Sequence, residues 1–347
     1  MAKHKSTHHH YKKAYREYHP ISDTMVSVAL ILIVYGEMIP FTEEFFVYTA
    51  PLQFPLFFTA VGYLLRDNDV SWTDVARKIF LWIIIPSLIF ALIPTLWYLR
   101  SKGLDIIWQQ LQALCVSSKF WLVPGSIIAS TVFILCKKLS VKLSNTYVKN
   151  DYNEEWSMIF LGIMTIVIAL VGYVLSINGK LTELHISKSL SMEAFIFFGN
   201  ILQKYKRSIK KKNYGAVIIA LLVLYLFLCW WKYYELPQFS GAFLLSGLIE
   251  CVTTFSGLFL MFLVASQSKY ENYWFYEIRH TILLIYIWQE PTTHLLAGIL
   301  DYFNIMLPVG PMIGLGITIW CIVFCVLVKK IVLGVIGELF HINIPTV

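Results

Sequence analysis

The sequence predicts an all-α fold, a polytopic membrane helix bundle of about ten transmembrane helices with both termini cytoplasmic. Three observations predict it. The chain is 58% hydrophobic and only 14% charged, against roughly 45–50% and about 25% in soluble domains. Its mean hydropathy is +0.66. Its apolar residues gather in runs of about 20, the length a helix needs to cross the hydrocarbon core, while its basic residues gather between alternate runs.

The runs lie at about 23–41, 46–65, 79–99, 120–136, 157–177, 190–205, 214–232, 239–265, 277–299 and 308–328. Residues 1–22 read as a basic cytoplasmic tail, 23–328 as one membrane domain, and 329–347 as a cytoplasmic C-terminal tail. The first run has no small-residue cleavage site before or within it, so it reads as a retained span and not a signal peptide. The tail's "HHHYKK" (8–13) holds metal-ligating residue types, but a disordered basic segment accounts for it.

Each later run has its own features. Pro51 and Pro55 are expected to kink the second. "DIIWQQLQALCVS" (105–117) puts Ile107, Trp108, Leu111 and Leu114 near one helical face, as in a helix lying flat on the outer surface. The sixth run is short, and "KYKRSIKKKN" (204–213) after it reads as a solvated inside loop with attraction for anionic lipid. "YENYWFYE" (270–277) reads as an interfacial aromatic belt before the ninth.

With the N-terminus inside, 22 of the 28 basic residues fall in inside segments. Arg100, Lys102, Lys119, Lys180, Lys188 and Lys232 are the ones left outside. That asymmetry supports both the even span count and the orientation. The net charge of +7 therefore orients the chain in a lipid bilayer and gives no reason to expect nucleic acid. Of the six cysteines, five lie in or at the ends of apolar runs and Cys115 stands alone. Neither a disulfide framework nor a metal motif is expected.

Glu37, in "LILIVYGEMIP" (30–40), is the residue this composition least explains, because a buried carboxylate without a partner is costly. Intramembrane ionisable residues face a bundle interior or a wet cavity. Span nine adds Gln289, Glu290 and His294, the last two four apart and on one helix face. Glu250 stands mid-span in "SGLIECVTTFSG", among small residues that permit close helix packing.

Three stretches carry a family resemblance. "FPLFFTAVGYLLR" (54–66), "KFWLVPGSIIAS" (119–130) and "RHTILLIYIWQEP" (279–291) resemble, in order and spacing, the second-span, fourth-span and late motifs of the acyltransferase-3 family of membrane O-acyltransferases. That family includes the polysaccharide intercellular adhesin membrane proteins. "FIFFGNILQKY" (195–205) resembles its short Phe-Phe-x-Gly span more loosely. The chain looks like a divergent member. Where the family has Arg, ten residues, then His in span one, this chain has Val26 and Glu37. The family's other two His positions are Gln53 and Gln289, and a basic position near span three is Trp82, with Lys78 four residues earlier.

The resemblance implies transfer of an acyl group, most often acetyl, from a cytoplasmic acyl-CoA to a hydroxyl of a surface or exported carbohydrate. Acyl-CoA (acetyl-CoA) is then a substrate, with no permanently bound cofactor, and glycosyltransferases of a polysaccharide pathway are the expected partners. On this reading Glu37, Glu290 and His294 are catalytic, with Glu37 as base on the acceptor hydroxyl. Asp23, Gln53, Trp121, Glu250 and Gln289 bind substrate, and Lys78 and Arg279 grip the donor's phosphates. Most of these residues have a plain structural alternative. Glu37 reaches the interface or pairs with another span. His294 bonds to Glu290. Glu250 makes an interhelical bond. Asp23 complements a helix dipole. Trp121, Lys78 and Arg279 are interface anchors. The rival functions are a catalytically degenerate family member acting in polysaccharide export, a secondary transporter, and a structural membrane subunit.

Overall fold

The computed structural model describes residues 20–37, 39–65, 121–147, 153–179, 185–210, 214–234, 243–267, 273–308 and 310–339. Eleven helices occur among them, and no strand: α1 (Pro20–Glu37), α2 (Ile39–Leu64), α3 (Leu122–Tyr147), α4 (Asn153–Ile177), α5 (Ile186–Ser191), α6 (Glu193–Lys210), α7 (Gly215–Tyr234), α8 (Phe243–Gln267), α9 (Tyr273–His280), α10 (Ile282–Tyr302) and α11 (Pro311–Leu339). Seven of them, α1, α2, α3, α4, α7, α8 and α11, are long and apolar enough to cross a membrane. The chain is a multi-pass, all-α membrane protein.

Of the ten expected spans, 79–99 lies outside the described residues, as do the interfacial segment 105–117 and most of the N-terminal tail. The sixth and ninth are helical but are not among the seven. Their sequences explain why. α6 carries Glu193, Asn200, Gln203 and Lys204, and α10 carries Gln-Glu-Pro-Thr-Thr-His in its middle. Span nine is also not one rod. It breaks at Thr281, so the aromatic stretch expected at the interface becomes α9. α2 runs unbroken through Pro51 and Pro55. Helix continues through Lys210, where a solvated loop was expected, and through Leu339, where the C-terminal tail was expected. Lys and Arg are good helix formers, so charge alone does not end a helix.

Between helices in lipid, apolar burial supplies little driving force; close packing and interhelical hydrogen bonds supply it. α1 is the central helix, with Met25, Ala29, Leu30 and Val34 fully buried. It packs on α2, α8, α9, α10 and α11. α2 in turn packs on α6 at glycines from both sides. A Cβ on Gly62 would lie 1.9 Å from Ile196 O, and one on Gly199 would lie 1.9 Å from Thr59 O. α7 shows the other extreme: Val217, Ile219, Val223 and Phe227 all point outward. Such a helix is apolar toward its surroundings because those surroundings are lipid.

Side chains on backbone carbonyls tie the ends. At one end Asn200 Nδ2 and Lys137 Nζ both donate to Leu65 O, at 3.3 and 3.1 Å, and Ser27 Oγ donates to Phe275 O at 2.8 Å. Lys204, Lys206, Arg279, Lys329 and Lys330 share this basic end. At the opposite end Tyr35 OH donates to Pro311 O at 3.4 Å, and the N–H of Leu122 donates to Tyr286 OH at 3.5 Å.

Candidate functional site

The end opposite the basic belt gathers polar groups from four helices. Glu37 is the last residue of α1 and is exposed. Gly36 beside it lies directly against the Gln53 amide: a Cβ there would come 2.2 Å from Gln53 Nε2. Gln53 is buried on α2, and its Nε2 has no hydrogen-bond partner. From α10 comes Tyr286, 2% exposed, whose hydroxyl lies within electrostatic reach of Glu37. One turn further, on the same helix face, Gln289 is buried with Oε1 unpartnered. Its neighbour Thr292 meets Cys321 Sγ of α11 at 3.0 Å.

Trp121 closes this region from the start of α3. Its ring lies 4.8 Å from Phe54 and 6.0 Å from Phe58, with His185 at 6.3 Å and Lys188 Nζ at 5.8 Å. The cluster therefore presents a carboxylate, a phenol, an indole, an amide donor and an amide acceptor. Buried polar atoms nearly always have partners, so the unpartnered Gln53 Nε2 and Gln289 Oε1 stand out in this region.

The expected site residues divide as follows. Gln53 lies against Gly36 beside Glu37, Tyr286 links Glu37 to Leu122 next to Trp121, and Gln289 lies one turn beyond Tyr286 on α10. α10 carries Glu290 and His294, but their side chains lie outside the described part. Glu250 is exposed on the bundle surface, paired with Lys232 at 3.2 Å. Asp23 and Arg279 lie at the basic end and pair with each other. Lys78 lies outside the described residues. α1 starts three residues before the expected span and ends at Glu37, four residues before the expected limit, so Glu37 is the last residue of the helix, with its side chain exposed.

Three residues were missed. Tyr286 was read only as part of a motif. Glu277, 1% exposed on α9, lies 3.7 Å from Lys329 and 3.9 Å from Lys330. Its place in an aromatic stretch hid it. Glu193, fully buried at the start of α6, is a lone acid in an apolar run, the same signal that singled out Glu37. A groove of about 440 Å³ between α6, α7 and α8 is lined by Phe198, Leu221, Val252, Phe255 and Phe259 and offers too few polar groups to orient a substrate. Comparisons of the chain with protein-family models, with curated proteins and with solved structures return no match.

Proposed function

We propose that the chain is a membrane O-acyltransferase that moves an acyl group, in the first instance acetyl, from cytoplasmic acyl-CoA to a hydroxyl of a surface or exported carbohydrate. The observation that carries this reading is the cluster of Glu37, Gln53, Tyr286 and Gln289 at the end away from the basic belt, with two buried amide atoms left without partners. Glu37 takes the acceptor's proton, and the amides and the Trp121 face orient the sugar. Direct transfer in a ternary complex suits this set, because a carboxylate acyl carrier would be a labile anhydride. In this reading ten spans place both termini in the cytoplasm, the basic end faces the cytoplasm of a cell membrane, and glycosyltransferases of a polysaccharide pathway act alongside.

The test is acyl transfer by the purified protein in proteoliposomes, with radiolabelled acetyl-CoA and carbohydrate acceptors on opposite sides. Label in the carbohydrate supports the reading. Efflux of an unmodified polysaccharide with no label transferred would replace it with export. One observation favours that second reading: Gln53 and Gln289 stand where the resembled family has His, and an amide binds a sugar but cannot exchange its proton.

A further inference from the structure

The α5–α6 junction holds a second polar anomaly, unconnected with acyl transfer. α5 ends at Ser191, Met192 interrupts the helix, and α6 opens with Glu193. The backbone at the break is satisfied. Met192 N–H donates to Ser189 O at 3.2 Å, and the N–H groups of Phe195 and Ile196 donate to Met192 O at 3.0 and 3.3 Å. The carboxyl group is not. Glu193 has no exposed surface, and neither oxygen has a hydrogen-bond partner. Among the described residues no ion pair reaches it. Thr59 Oγ1, on the α2 side of the tight α2–α6 seam, is also buried and unpartnered.

Depth makes this unusual. Glu193 precedes Lys204 of the basic end by 11 residues, about 16 Å along the helix axis. Interrupted helices at membrane depth are where proteins hold ions. Of the helices packed on α6, α3 brings the Cys136 thiol within electrostatic reach, and the short α5 carries Lys188, whose ammonium instead lies over Trp121. A carboxylate with no counter-charge and no donor is not sustained in such surroundings, so the group neutralises. Three or more metal-ligating side chains do not gather anywhere among the described residues.

We propose that Glu193 is a proton-binding site in the membrane interior, its carboxyl group holding a proton at the α5–α6 break. Dicyclohexylcarbodiimide, which attacks protonated carboxyl groups in apolar surroundings, tests this on the full chain in proteoliposomes. The expected result is an adduct mapped to Glu193 by mass spectrometry. Its yield falls as pH rises from about 6 to about 10 and is equal in sodium and choline chloride. Protection by sodium would overturn the proposal in favour of a cation site. Infrared difference spectra between wild type and Glu193→Gln supply a readout independent of reagent access. A protonated C=O stretch present in wild type and lost in the variant is expected, and its absence from wild type would overturn the proposal.

Discussion

Arg279 of α9 donates from Nη1 to Oδ1 of Asp23 on α1, joining residues 256 positions apart in the chain. The Asp23 side chain is 3% exposed and the Arg279 side chain 22%. Removing one partner of a buried pair leaves an uncompensated charge, which costs more than the pair's net worth. We expect Arg279→Ala to destabilise the protein by about 3 kcal/mol, read as a lower unfolding midpoint in detergent. The neutral pair Asp23→Asn with Arg279→Gln should recover most of that loss. If Arg279 also grips donor phosphate, the stabilised double variant will still bind acyl-CoA more weakly than wild type. Equal binding removes Arg279 from the donor site.

The α2–α6 seam should be the least tolerant of added volume. A Cβ at Gly199 meets backbone, Thr59 O at 1.9 Å and Tyr63 N at 2.9 Å, and backbone cannot swing aside. Gly199→Ala is therefore expected to cost about 1–3 kcal/mol, the scale of overpacking. Gly298 and Gly316 have nothing within 4 Å, and alanine there should change stability by less than about 0.5 kcal/mol. Equal unfolding midpoints for the three alanine variants would contradict the tight seam.

Orientation is tested by cysteine accessibility in a cysteine-free background. Asn145 lies near the end of α3 on the basic side, and Tyr302 closes α10. An impermeant maleimide added to intact cells should label Tyr302→Cys and leave Asn145→Cys unmodified until the membrane is opened. The same pattern is expected outside for positions 43, 105, 183 and 235, and inside for 70, 210 and 270. Labelling at 210 in intact cells would reverse or break the proposed topology.

The membrane bundle was legible because hydropathy reports directly on the surroundings of each helix. Helix breaks were not. Thr281 and Met192 interrupt runs that read as continuous, since nothing in an apolar threonine–isoleucine or methionine–glutamate step signals a turn. Pro51 and Pro55 do not end α2, which runs through both. For the site, the sequence singled out Glu37, Gln53, Trp121 and Gln289, and the structure adds Tyr286 as the link between Trp121's neighbour Leu122 and Glu37. The partnership of Asp23 with Arg279 was illegible, since 256 positions separate them and only packing of α9 on α1 brings them together.

Glu37 offers the sharpest test of the proposed chemistry. Glu37 is the exposed last residue of α1, so its proposed role rests on position: it follows Gly36, which abuts Gln53, and lies within electrostatic reach of Tyr286. A base must come within hydrogen-bond reach of the hydroxyl it deprotonates. An acceptor held by Gln53 Nε2 and Gln289 Oε1 would present its hydroxyl groups in that region. Glu37→Gln keeps shape and polarity but accepts no proton. It should fold with the wild-type unfolding midpoint, bind acyl-CoA normally, and lose about 10²-fold or more in acyl transfer. Glu37→His restores a proton acceptor and should regain part of the rate. Gln53→Ala should instead weaken acceptor binding, raising KM more than it lowers kcat. Full transfer activity in Glu37→Gln would show that the proton leaves by another route and would dissociate the cluster from the acylation chemistry.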